Sequence, residues 1–165
     1  MTYTSEKINI GTVIHGTLRN EDLLPAFTQE LTYLSDAQHP LIEEINNFKW
    51  YSEDIRLDID DSQQEYASDL VNDLMDALNE YAPPHTYFGT IEGDGSDFGF
   101  WPDGGSFNET CDVRVINQGK NGDSQFVDND CNVFVDVNDH GNITVCELVP
   151  GIVGQKIGDV IWSAV

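Results

Sequence analysis

Apolar residues recur every three or four positions over the first half of the chain and alternate over much of the second, so helices precede strands. Ile8, Ile10, Thr12 and Ile14 alternate with other residues and predict a short first strand running into His15-Gly16-Thr17. Leu23, Phe27, Leu31 and Leu34 then follow helical spacing. Asn20, Glu21 and Asp22 supply capping and acidic residues at the start of this helix, and Pro25 is tolerable near its first turn. His39-Pro40 interrupts the pattern, and residues 41–50 predict a further short helix through Leu41, Ile45 and Phe48. Ser62 and Glu65 stand in capping-box spacing at the head of a longer helix, which Pro83-Pro84 ends. Tyr66, Leu70, Leu74, Leu78 and Tyr81, with Val71 and Met75, form the apolar face of that helix.

Beyond the prolines the period changes. Residues 87–91 and 98–101 predict two strands joined across the glycine-rich turn Glu92-Gly93-Asp94-Gly95-Ser96. Residues 113–116, 133–137, 143–148 and 160–165 have strand character, and 117–132 reads as a long polar loop. The expected architecture is α+β: two or three N-terminal helices packed on a largely antiparallel sheet formed mainly by the C-terminal half. A chain of 165 residues fits a single domain, with 1–101 as a helical, acidic part carrying the first hairpin and 102–165 as a β-rich part.

Charge changes the picture more than composition does. Hydrophobic content of 39% and aromatic content of 10% suit a packed core, but the net charge is −23. Residues 1–101 hold 20 acids and 4 bases, and residues 102–165 hold 10 acids and 3 bases. Between Glu53 and Glu80 there are ten carboxylates against one base, Arg56. Glu65, Asp69, Asp73, Asp76 and Glu80, spaced four, four, three and four, fall on one helix face opposite the apolar one. They make a ridge roughly 22 Å long whose charges repeat about every 5 to 6 Å, near the spacing of phosphates along a nucleic-acid strand. Asp58, Asp60 and Asp61 extend the track, and Trp50-Tyr51 directly before it are candidate contact aromatics. Such a surface repels DNA, RNA and anionic lipid, which points to a basic nucleic-acid-binding protein as partner. The plainer reading is that the charge only keeps the chain dissolved or adapts it to high salt.

No apolar run approaches the roughly 18 residues that span a bilayer, and residues 1–14 lack the pattern of a signal peptide, so a cytoplasmic location is expected. Cys111, Cys131 and Cys146 have neither CxxC spacing nor an even count and read as free thiols in strands or core.

Three other patterns suggest chemistry. Asp136 to Glu147 meets several positions of a calcium EF-hand loop, but His140 is a poor ligand for a hard cation and the flanks alternate as strands. A hairpin turning at Asn138-Asp139-His140-Gly141 accounts for the same letters. Glu92, Asp94 and Asp97 supply paired carboxylates for a divalent ion or for hydrolysis, although alternating Gly and Asp is first of all turn chemistry. His15-Gly16-Thr17 and His140-Gly141-Asn142 imitate a two-histidine phosphoesterase pair but lack its hydrophobic middle residue. No GxSxG elbow, Walker loop or GxGxxG follows a strand, so neither a cofactor nor an enzymatic activity is expected.

The segments IHGTLRNEDLLPAF (14–27) and YFGTIEGDGSDFGFWP (87–102) resemble signatures of small phage- and plasmid-encoded proteins that have no assigned activity, as do VNDHGNITV (137–145) and the terminal IWSAV (161–165). The resemblance implies a mobile-element origin. Phage and plasmid genes often encode acidic inhibitors of restriction or CRISPR machinery, so the expected function is a host-defence inhibitor acting as a DNA mimic. The alternatives are a phage structural or accessory protein binding through its sheet, and a metal-dependent hydrolase using the turn 92–97.

Overall fold

In a computed structural model of the chain, residues 7–48, 61–105, 133–137, 142–150 and 155–164 are described. The architecture is α+β, with three helices and two antiparallel three-stranded sheets among them. Strands β1 (Gly11–His15), β2 (Thr86–Ile91) and β3 (Asp94–Pro102) form one sheet in the order β1-β3-β2, and helices α1 (Asn20–Leu34), α2 (Pro40–Asn47) and α3 (Asp61–Tyr81) lie between β1 and β2 in sequence. Strands β4 (Val133–Val137), β5 (Ile143–Pro150) and β6 (Gln155–Ala164) form the other in the order β4-β5-β6. The expected single sheet is thus two. Lys7–Ala82 with Tyr87–Trp101 make one compact unit, and Pro83–Thr86 and the second sheet belong to another.

The first unit is built around a phenylalanine cluster. Phe27 of α1 is wholly buried and meets Phe88 and Phe98 edge-on at centroid distances of 5.1 and 5.4 Å, while Phe88 meets Phe100 at 4.9 Å. Leu23, Leu31 and Leu34 join it from α1, as their spacing predicts, and Leu70, Leu74 and Leu78 from α3. Polar contacts help set α3 against β2 and α1. The Asn79 side-chain oxygen accepts from the Phe88 backbone N–H at 2.9 Å, and Asn20 donates to the Ser68 hydroxyl at 2.9 Å.

Several boundaries differ from expectation for local reasons. β1 starts at Gly11, whose φ of 136° is one that residues with a side chain rarely adopt, and Ile8 and Ile10 precede the strand and pack on the core from outside it. Arg19 is the N-cap residue of α1 and its side chain caps nothing; instead Thr17 accepts from the Arg19 N–H and donates to Asp22. Pro25 falls in the second turn of α1. α2 begins at Pro40 because the His39 ring accepts from the Leu41 N–H, and it stops at Asn47 with Ile42 as its buried residue. α3 is described from Asp61, and Ser62 lies within it. The β2–β3 turn shrinks to Glu92-Gly93, with Gly93 at φ 95°.

In the second unit β4 and β5 pair from Val133↔Glu147 to Val137↔Ile143. The flanks of the calcium-loop pattern are therefore strands of one hairpin, which removes the EF-hand reading. Its turn residues 138–141 and the expected strand 113–116 lie outside the described residues. Val135, Val145 and Trp162 stand opposite one another and are buried, and the Trp162 indole donates to the Pro84 carbonyl at 2.8 Å. Cys146, opposite Phe134, is a buried free thiol, and burial followed by the charge of Asp136 pushes its pKa up.

β1 and β3 approach so closely at Gly99 that a Cβ there would overlap the Gly11 carbonyl oxygen and stand 2.9 Å from the Thr12 Cα. Gly99→Ala is expected to destabilise the protein by about 3 kcal/mol, the upper range for overpacking, because backbone and not a side chain must give way. Urea unfolding of the variant beside the parent measures it.

Candidate functional site: the acidic face of helix α3

Helix α3 owes its orientation to amphipathicity. Leu70, Val71, Leu74, Ala77 and Leu78 are buried, and Glu65, Asp69, Asp73, Asp76 and Glu80 are all exposed. The five carboxylates thus share the solvent face, as their spacing predicts. None forms an ion pair with a described residue. The two ion pairs among the described residues, Lys7–Asp36 and Arg19–Glu21, lie elsewhere. Asp61 is the first described residue of α3, and Asp58, Asp60, Trp50 and Tyr51 lie outside the described residues.

Tyr66 departs from the expected apolar face. It is 40% exposed, its ring packs edge-on against Phe48 at 4.9 Å, and its hydroxyl donates to Glu44 of α2 at 2.7 Å. That bond, with desolvation and the charges of Glu44 and Asp73, pushes the Tyr66 pKa up. The acidic surface therefore runs from α3 across a tyrosine onto α2, where Glu43 and Glu44 are exposed. No single-helix periodicity signals this junction, because it joins residues 22 positions apart.

The other candidate chemistry does not assemble. The Asp94 carboxylate accepts from the Ser96 N–H and hydroxyl at 2.9 and 2.8 Å, which lowers its pKa and commits it to the strand entrance. Glu92 is exposed, whereas Asp97 lies across from His15 in the β1–β3 ladder with one carboxylate oxygen buried and unbonded. Among the described residues no group of three or more His, Cys, Asp or Glu side chains is placed to hold a metal ion. His15 is exposed at the end of β1, and its proposed partner His140 lies outside the described residues. Trp101 is half-buried and donates to the Gly89 carbonyl at 3.0 Å. No helix among the described residues is long and apolar enough to cross a membrane.

No protein-family model, curated protein or solved structure matches the chain.

Like charges four apart on a helix repel by roughly 0.2–0.5 kcal/mol per pair, and Glu80 also faces the negative end of the helix dipole. Replacing Asp69, Asp73 and Asp76 together by Asn is expected to raise stability by about 1 kcal/mol at low ionic strength, with the gain shrinking as salt is added. A urea midpoint that moves up at unchanged slope checks it.

The Tyr66 phenol is expected to ionise above the ordinary range of about 10, and Glu44→Gln to bring it back down. Because the folded-state pKa is raised, this contact contributes fully below the ordinary tyrosine pKa and is lost as pH rises through the raised one. Difference spectra of parent, Glu44→Gln and Tyr66→Phe across alkaline pH resolve the titration.

Proposed function

We propose that this protein is a non-enzymatic inhibitor that offers α3 in place of a nucleic-acid backbone and occupies the basic nucleic-acid channel of a host protein. The observation that supports it is the row of five exposed carboxylates, which form no ion pair among the described residues and repel one another along the helix. Carboxylates that repel one another along their own helix and form no ion pair with a described residue are open to a basic partner. Glu65, Asp69, Asp73, Asp76 and Glu80 stand in for phosphates, and in sequence Asp58, Asp60 and Asp61 precede them. The mobile-element resemblance suggests a defence nuclease of the restriction or CRISPR kind as target. Long-range attraction speeds the encounter and fades with salt.

Asp69→Lys, Asp73→Lys and Asp76→Lys combined are expected to abolish inhibition while leaving the fold intact, since the face is solvated. Capture of the partner from host lysate, compared at low and high salt, is expected to show binding that weakens at least about tenfold at high salt. A triple variant that inhibits as well as the parent overturns the proposal. A second reading, an accessory protein that binds another phage component through its sheet, draws on the exposed Ile157 and Val160 of β6. Ile157→Ser with Val160→Ser then disrupts binding, and the α3 variant does not.

A further inference from the structure

Between α1 and α2 lies a groove of about 410 Å³, within the range of ligand-binding clefts. Leu24 and Pro25 line it from α1 and Ile45 and Phe48 from the α2 side, with Thr28 and Thr32 between them. The Thr28 hydroxyl donates to the Leu24 carbonyl at 2.6 Å and the Thr32 hydroxyl to the Thr28 carbonyl at 2.7 Å. Each donates its proton inside its own helix, which leaves the amides of Gln29 and Asn46 as the polar groups of a mostly apolar lining that suits an apolar guest. The two helices carry Glu21, Asp22, Glu30, Glu43 and Glu44 and no Lys or Arg. Arg19 at the head of α1 pairs with Glu21, and Lys7 pairs with Asp36 beyond its end. The lining itself holds no charge; Glu43 precedes Asn46, another lining residue, by three positions and Glu21 precedes Pro25 by one helical turn, so helical spacing sets an acid within a turn of the lining on each helix. An apolar cleft with acids at that spacing selects an apolar side chain carried on a basic segment.

The groove also adjoins the acidic face. Phe48 lines it and packs against Tyr66, and Tyr66 feels the charge of Asp73. We infer that the α1–α2 groove is the anchor pocket for a large apolar side chain of a basic partner segment that α3 attracts. The inference rests on the phosphate-mimic reading for its basic partner and adds what that reading lacks. Exposed charge pairs give steering and little affinity, whereas a side chain desolvated in a pocket supplies most of the binding energy of an interface.

Two synthetic Lys/Arg-rich peptides, identical except for a central Trp or Ser, test it by fluorescence anisotropy against the full chain. The Trp peptide is expected to bind about tenfold or more tightly than the Ser peptide. That ratio is expected to hold as salt rises, while both affinities fall. Filling the groove from either helix, by Thr28→Phe or by Asn46→Trp, is expected to bring the ratio to one, with circular dichroism and urea midpoints confirming that each variant folds. The triple Lys variant of α3 is expected to weaken both peptides equally and keep the ratio. A ratio of one in the parent, or a ratio that survives both filled variants, overturns the groove and leaves the α3 reading standing. If instead the α3 variant binds both peptides as the parent does while the ratio persists, the phosphate-mimic reading fails and the groove remains. Concentration-dependent dimerisation abolished by Asn46→Trp would assign the groove to a second copy and overturn the inference.

Discussion

The ring of Phe27 set edge-on between Phe88 and Phe98 is the contact on which the first unit depends. Aromatic pairs in this geometry gain about 0.5–1.5 kcal/mol beyond the area they bury, because the positive ring edge meets the negative face. It joins the middle of α1 to two strands that follow it by some sixty residues, and α3 packs on α1 over the same core. Once α1 is held, the direction of α3 is set by its leucines, by Asn20 on Ser68 and by Asn79 on the Phe88 N–H. The last bond matters because that N–H is satisfied from a helix and not from the ladder, which fixes the end of α3 against β2.

Upon this packed frame sits a charge distribution that opposes it. A net charge of −23 strains any compact state through self-repulsion, and the α3 ridge concentrates that repulsion on one helix. The fold tolerates it because the interior opposite the ridge is dry: Leu70, Leu74 and Leu78 are almost wholly buried. Burial of each such side chain contributes about 1.5–3 kcal/mol, several times the repulsion between neighbouring carboxylates. Apolar packing decides that α3 is a helix and where it docks, and charge decides what it can meet.

Periodicity made the helices and the ridge readable, since a helix repeats every 3.6 residues whatever surrounds it. The same rule placed Tyr66 with the leucines, and there it failed, because the pull of Glu44 and Phe48 from α2 is tertiary. Alternation found β4 and β5 and favoured a hairpin over a calcium loop at 136–147, yet it could not show that the strands divide into two sheets, because pairing is non-local. It began the first strand at Ile8, whereas the backbone at Gly11 starts it three residues later. The groove left no trace in the chain: Leu24 and Ile45 are unremarkable on their own helices and meet only through helix packing.

The antiparallel pairing of β1 with β3, Gly11 against Phe100, carries a consequence for how the protein is made. Gly11 has no ladder partner until almost ninety further residues have been added, and α1, α2 and α3 are synthesised in the interval. Contacts of such long sequence separation slow folding, since the loop must close before the sheet can reward it. Closing that sheet therefore spans all three helices, and the loop it closes carries most of the carboxylates of residues 1–101, whose mutual repulsion the closure works against.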